Sequence, residues 1–466
     1  MKKHSEPLLG VCPIGKFVFS HEDAIRQKKA LFKQLDAWKV RYCDLEGVLP
    51  DGLVRDQKHV APVVAHFKKK GIDALFVPHC NFGTEGAVGM IARLLGVPVL
   101  VWGPRDDAPL ADGSRLRDSL CGLFASTGVL RKLKVPFTYI ENCRVDEAPL
   151  KEGVRKFVRA AAVVKAMRGM RIGQIGSRID FFWSTIINEQ DLMERFNVQV
   201  LPVDMVEFLR GVKACAEKHK KRYAAELKRL KTWMAIGDKV PDRALMRALA
   251  LRDELARLAS DQDLDAIALQ TFSSLQNELG PGTGLAESLA VGGSVPVSEE
   301  TDLHGAISSV LLEAAAGTDE PSFFPEFTIR HPENDNAVLL WHAAAALSLR
   351  DPESRVKLAP PWILKGLPPS NLHFKLKDGP LTVCRFEKDD ADYVLGIGQG
   401  HTVPGPHTQE FYAWMEVDDW PTWERKLMEG PYIHHVSASY THCADALVEA
   451  CKYIPGLHAQ RFEKTC

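Results

Sequence analysis

Between residues 38 and 170, short apolar runs rich in β-branched residues alternate with longer stretches whose apolar positions recur every three or four residues. WKVRYCDLEG, DALFVPH, VPVLVWG and FTYIEN read as strands; VAPVVAHFKKK, GAVGMIARLLG and residues 114–125 and 152–167 read as helices. Strand followed by helix at this spacing predicts βαβ units around a parallel sheet covered on both faces. A second set opens with MRIGQIGSR and runs through NVQVLPVD, two charged helices (214–234 and 242–258) and the strand LDAIALQTF. After Leu347 the texture changes to strand-length alternating runs with Asp-Gly and Lys-Asp-Asp turns, NLHFKLKDGPLTVCRFEKDDADYVLGIGQG, which predicts antiparallel hairpins. The expected fold is therefore α/β: two doubly wound parallel-sheet domains, 1–170 and 171–347, followed by a smaller β-rich C-terminal domain, 348–466. Pro360, Pro361, Pro368 and Pro369 suit a linker into that last domain, and a helix is expected over 444–452.

Composition narrows the partner more than the fold. Fifty-nine Lys and Arg balance sixty Asp and Glu in 466 residues, which gives no electrostatic reason for nucleic acid or an anionic membrane as partner. The basic run 213–231 has apolar residues at helical spacing and reads as a solvated helix face. MKKHSEPLLGVCPIGKF lacks the apolar core of a signal peptide, and no run of about 18 apolar residues occurs, so a cytoplasmic protein with a small-molecule ligand is expected. Ten cysteines stand far apart without CxxC pairs and read as reduced core residues. Gly173 and Gly176 lack the full spacing of a dinucleotide fingerprint.

Polar groups accumulate against apolar surroundings in the stretch after LDAIALQTF. VPVSEETDLHGAISSVLLEAAAG brings Glu299, Glu300, Asp302 and His304; FFPEF sets Glu326 among phenylalanines; VLLWHAAA holds His342; and PYIHHVSAS holds His434 and His435. A carboxylate in apolar surroundings is costly unless a cation or donor compensates it, and a divalent metal does so well. Two carboxylates with one or two imidazoles suit manganese, cobalt or magnesium with open positions better than a closed zinc site. An acidic pair ahead of a helix is also what a simple cap looks like. Gln270 and Phe272 end the strand LDAIALQTF, where open α/β sheets bind ligands, and Trp183 and His79 have similar strand-end settings.

These segments resemble the metal-site segments of the L-fucose isomerase and L-arabinose isomerase superfamily, and HCNFGTEGAVGMIARLLGVPVLVWGPRDD with PIGKF resembles that family's first domain. The resemblance implies an aldose–ketose isomerase acting through an enediolate on a divalent ion, commonly Mn2+, with Co2+ and Mg2+ as alternatives. It implies Glu300, Glu326, His342 and His435 as metal ligands, with Glu300 and Glu326 as the acid/base pair. Glu299 is the competing register for Glu300. Neighbours in a strand face opposite ways, so one of His434 and His435 reaches the ion. His435 is preferred as ligand, with His434, Gln270, Phe272, Trp183 and His79 as substrate-binding candidates. In the resembling enzymes the first domain lines a neighbouring subunit's site, which implies a homo-oligomer, trimer or hexamer, and a role there for His79 and Asn81. The chain is shorter than either namesake, so the sugar does not follow. A non-catalytic sugar-binding protein and a metal-dependent hydrolase are the alternatives.

Overall fold

The computed structural model describes residues 6–237, 240–272, 274–279, 283–291, 295–363 and 369–464, so Pro368 and Cys466 lie outside the described residues. Among the described residues the chain forms two compact units, 6–165 with Glu449–Pro455 and Ala166–Val448 with 456–464.

In the first unit five parallel strands lie in the order Tyr42–Cys43, Leu9–Val11, Ala74–Pro78, Val99–Trp102, Thr138–Tyr139. Alternation along Ala74–Pro78 sends Leu75 and Val77 into one apolar cluster and Ala74 and Phe76 into another. The first cluster holds residues of the helices Val60–Lys70, Glu85–Leu95 and Ser119–Lys132; the second holds those of His21–Ala37 and Ala148–Met167. The doubly wound expectation is met here, with Leu9–Val11 and His21–Ala37 added ahead of the predicted elements. The helix expected over 114–125 begins later, at Ser119, because Asp106 caps it from a distant loop: its carboxylate accepts from Ser119 N at 3.1 Å and Leu120 N at 3.3 Å.

The second unit contains a four-stranded parallel sheet in the order Val297–Ser298, Ala266–Leu269, Arg171–Ile175, Gln199–Val203. The single helix expected over 214–234 is instead two, Met205–Lys218 and Lys220–Leu230. Between Val212 and Tyr223 no side chain is buried, so no packing holds one continuous rod, and the backbone of His219 leaves the helical region. A ten-stranded mixed sheet follows, built around the antiparallel pair Pro380–Asp389 and Asp392–Val403. The Lys-Asp-Asp turn closes that hairpin as expected. The Asp-Gly turn does not close one: Asn371–Lys375 pairs antiparallel with Lys357–Ala359 and parallel with Phe411–Glu416. Gly379 bonds to Thr402 instead, through both its N and its O.

The helix Leu303–Ala316 organises this unit. Thirteen of its fourteen residues are buried, as a helix apolar on all sides must be. It contacts Ala266–Leu269 of the parallel sheet and both Pro380–Asp389 and Ser437–Ser439 of the mixed sheet. Asp302 caps its start, accepting from Gly305 N at 2.8 Å, and Gly317 ends it in the left-handed conformation, φ 60°. The N-terminus of this helix therefore stands where the two sheets meet. No helix among the described residues is long and apolar enough to cross a membrane, and Cys12, Cys80 and Cys143 are buried thiols.

Candidate metal centre

The four candidate ligands come from four separate stretches. Glu300 sits in the turn between Val297–Ser298 and Leu303–Ala316, at the carboxyl end of the parallel strands. The turn is tight: Thr301 N donates to Leu269 O at 3.0 Å, Asp302 N to Glu299 O at 3.1 Å, and Ser298 Oγ to Asp302 O at 2.7 Å. Glu300 and Thr301 are both held at positive φ, 60° and 57°, a strained conformation for non-glycine residues that the turn over-determines. Glu326 opens the strand Glu326–Arg330, His342 ends Ala337–His342, and these strands pair antiparallel. His435 is bridged to Glu326, with Phe327 N donating to His434 O and Val436 N to Pro325 O, both at 2.9 Å.

One donor atom from each of Glu300, Glu326, His342 and His435 lies within 4.8 Å of the other three. His435 Nε2 is 3.3 Å from Glu300 Oε2 and 3.6 Å from Glu326 Oε1; His342 Nε2 is 3.6 Å from the same Glu326 oxygen. Glu300 Oε2, His342 Nε2 and His435 Nε2 are buried without a hydrogen-bond partner. Buried polar atoms converging without partners are the signature of a missing common neighbour, and the oxygen and nitrogen set suits a divalent ion.

Behind the donors a second layer aims the imidazoles. His435 Nδ1 lies 3.0 Å from Asp302 Oδ2, and Arg385 Nη1 is 2.5 Å from that oxygen. Arg385 also donates to Glu387 through Nε (3.1 Å) and Nη2 (2.8 Å), and Glu387 Oε1 is 2.6 Å from His304 Nδ1. Asp302, Arg385 and His435 are wholly buried. An Nδ1–H given to the carboxylate leaves the Nε2 lone pair for an ion. His342 differs: its Nδ1 lies 3.0 Å from Glu299 Oε1 as an ion pair, but out of line for a hydrogen bond. The phenyl ring of Phe324 packs on both imidazoles, at 5.1 Å from His435 and 5.9 Å from His342.

The electrostatics show a site short of positive charge. Burial opposes a proton on His342, but Glu299, Glu326 and Glu300 outweigh it and raise its pKa to about 9. Burial likewise opposes charge on His435, and hydrogen bonds to Asp302, Glu300 and Glu326 override it and hold its pKa well above the usual value. Burial works to raise Asp302, yet Arg385 and His435 keep it far below the ordinary carboxylate range. Two imidazoles drawn into holding protons by surrounding carboxylates mark a place that a cation fits.

Glu300, Glu326 and His342 open onto a pocket of about 560 Å³, counting solvent at its mouth, whose lining also includes Glu299, Phe272, Trp341, Asn371 and Glu410. The other sequence candidates fall at different places. His434, half-exposed, has Nε2 3.6 Å from Glu326 Oε1. Gln270 donates from Nε2 to Ser177 O at 3.1 Å and has a buried, unpartnered Oε1. Trp183 is 75% exposed and is not part of the described pocket lining. His79 belongs to the first unit and is wholly buried, with Nε2 2.8 Å from Ser126 Oγ; Asn81 there accepts from Lys16 N at 2.7 Å. Sequence reasoning passed over Arg385, Asn371 and Glu410. Arg385 had a signal, a charge in the middle of the apolar run LTVCRF; Asn371 and Glu410 sit at strand edges, where polar residues are ordinary.

The fucose/sulfoquinovose isomerase N-terminal domain profile matches residues 10–168, and the L-fucose isomerase C-terminal domain profile matches 365–456. The chain belongs to the fucose isomerase-like family of sugar isomerases. This isomerase is 25% identical over 399 residues to the sulfoquinovose isomerases of Priestia aryabhattai and Priestia megaterium (strain ATCC 12872 / QMB1551), covering 84% of this chain and 84% of theirs. It is 24% identical over 340 residues to the sulfoquinovose isomerase of Alkalicoccus urumqiensis, covering 72% and 73%. Its reaction class is aldose–ketose interconversion. A solute-binding protein from Actinobacillus succinogenes 130z with bound D-allose matches 58% of this chain and 80% of its own at 11% identity, and at a TM-score of 0.17 that likeness carries no argument.

Proposed function

We propose that this isomerase works on a divalent ion, Mn2+ first and Co2+ or Mg2+ as alternatives, held by Glu300, Glu326, His342 and His435, and that sulfoquinovose is its substrate. The observation that carries the metal reading is the convergence of those four donors, three of them buried without partners, beside a pocket that Glu300, Glu326 and His342 line. The substrate reading rests on the named relatives.

When bound, the ion supplies Lewis-acid polarisation of the sugar carbonyl and stabilises negative charge on the neighbouring oxygens. The residues do the rest. Glu300 and Glu326 form the acid/base pair: one takes a hydrogen from C2 of the aldose as a proton, and one is delivered to C1. The C2 hydroxyl loses its proton as its carbon becomes the carbonyl, and the C1 oxygen gains one, so atoms and charge balance. Asp302 with Arg385 holds the His435 imidazole in register, and the Glu299 carboxylate lies beside that of His342. Phe272 and Trp341 give the pocket apolar walls against which water is excluded. The reading extends to a cytoplasmic homo-oligomer, trimer or hexamer, with a sugar as ligand.

The test incubates the protein with Mn2+ and a panel of aldoses that includes sulfoquinovose, in heavy water, followed by proton NMR. Ketose formation with deuterium entering C1 or C2, abolished by chelation and restored by Mn2+, is expected. Turnover that survives complete chelation would falsify the metal assignment, and hydrolysis without hydrogen exchange would favour the hydrolase.

A further inference from the structure

Glu410 and Asn371 have no part in the proton chemistry above, yet they occupy the same pocket. Asn371 begins the strand Asn371–Lys375, and Glu410 immediately precedes Phe411–Glu416, which pairs parallel with it. Asn371 Nδ2 donates to Glu410 Oε1 at 2.8 Å, and Ser370 Oγ donates to Asn371 Oδ1 at 3.1 Å, which fixes which way the amide points. That leaves Glu410 Oε2 with no donor in a side chain whose residue is 1% exposed. An unsatisfied buried carboxylate oxygen is expensive, and a pocket that keeps one is matched to a ligand that supplies the proton.

Two backbone features show that the arrangement is built. Glu410 is held at φ 63°, the left-handed region that a non-glycine residue enters only under constraint; Glu300, across the pocket lining, is held the same way at φ 60°. At Gly284, a Cβ would sit 2.5 Å from Asn371 Oδ1, so the amide keeps its place only because that position has no side chain. Burial raises the Glu410 carboxyl and Glu299 adds to the rise, while Asn371, His342 and the Trp362 backbone oppose it, placing its pKa at about 7. Near neutral pH the group both accepts and donates.

The described pocket lining carries Glu299, Glu300, Glu326 and Glu410 and no lysine or arginine. Beside Glu410 a neutral hydroxyl is welcome, and the sulfonate of sulfoquinovose is kept away from that end of the pocket. We propose that Glu410, seated by Asn371, receives a hydroxyl of the sugar on Oε2 and thereby selects among hydroxyl patterns. This rests on the isomerase reading, and its chemistry is that of a polyol rather than of the ion.

The experiment uses the Mn2+-loaded full chain and its variants Glu410→Gln and Asn371→Ala. KM and kcat are measured on the accepted aldose and its single-deoxy analogues, and binding of the unreactive alditols D-glucitol, L-fucitol and L-arabinitol is measured by calorimetry. Glu410→Gln is expected to raise KM on the order of tenfold. The penalty should vanish for the one deoxy analogue that lacks the hydroxyl being read, while Mn2+ affinity stays unchanged and the melting temperature does not fall. Asn371→Ala should show the same selective loss more weakly. An unchanged KM in both variants, or an equal loss on every analogue, overturns the proposal. A wild type that isomerises nothing but binds an alditol more tightly than Glu410→Gln removes the isomerase reading and keeps this one; a wild type that binds every sugar and alditol no more tightly than Glu410→Gln overturns this one.

Discussion

Replacing Asp302 by asparagine separates the second layer of the site from the first, because the variant keeps the shape of the side chain and removes its charge. Asp302 is wholly buried between two cationic partners, His435 Nδ1 at 3.0 Å and Arg385 Nη1 at 2.5 Å. Breaking a buried ion pair from one side leaves the other charge uncompensated, which costs about 3–5 kcal/mol. Two features place this case near the lower bound. Arg385 retains Glu387 through two hydrogen bonds, and an amide oxygen can still accept from Gly305 N and keep the helix cap. The metal-free variant should therefore lose about 3 kcal/mol. The pH window follows from the direction of the shift. Asp302 is held below its ordinary value, so its contribution is complete above about pH 4 and is lost only as pH falls through the folded value. The difference between wild type and variant should shrink in acid, as Asp302 takes up its proton.

The effect on the ion is the sharper measurement. With its acceptor neutral, His435 no longer has one tautomer imposed on it, and loss of such an outer partner costs about 10–100-fold in metal affinity. Calorimetric titration of Mn2+ into folded protein, checked by circular dichroism, reads this directly without any substrate. Wild-type Mn2+ affinity in a folded Asp302→Asn variant would refute the claim that the buried Asp302–Arg385 pair positions His435, leaving the pair a purely structural one.

Three further outcomes follow from other groups in the same unit. Glu300→Gln and Glu326→Gln should each lower kcat by about 10²–10⁴, read by the same deuterium-exchange assay; near-normal turnover in either removes that residue from the acid/base pair. Glu410, with its carboxyl raised by burial to about 7 from a usual 4.5 and facing Glu299 and His342, is harder to ionise folded than unfolded. Its protonated form favours the fold, so that contribution is full below about pH 4.5 and is lost as pH rises through about 7, worth up to about 3 kcal/mol; chemical denaturation at pH 5 and pH 8 should show a smaller drop in Glu410→Gln. Gly305→Ala would set a Cβ 2.4 Å from the Phe324 ring, and because that ring packs on both imidazoles, the variant should lose about 1–3 kcal/mol together with Mn2+ affinity.

What was legible along the chain was what pays off locally. Ala74–Pro78 and Ala266–Leu269 are continuous apolar runs because parallel strands are covered on both faces, and they were recognisable as such. Glu326 and His342 stood out because a titratable group inside an apolar run has to be answered by something. Less legible were features fixed by partners far away in sequence. The late start of Ser119–Lys132 depends on Asp106, and the failure of the Asp-Gly hairpin depends on the pairing of Asn371–Lys375 with Phe411–Glu416. No local window contains either partner.

The same distinction explains the composition of the site. Its ligands are conspicuous, while the residues that aim them are not, since Asp302 looks like an ordinary helix cap and is one. One oxygen of that carboxylate accepts from Gly305 N and the other faces His435 and Arg385. A capping residue is already held rigidly at a helix N-terminus by the fold's largest buried commitment in this unit, so placing the imidazole's acceptor there couples ligand geometry to helix packing at no extra conformational cost. The helix Leu303–Ala316 is therefore more than a support beneath the site. Through Asp302 its position between the sheets bears on where His435 Nε2 points, and through the turn ahead of it on where Glu300 sits, so one helix positions two of the four ligands.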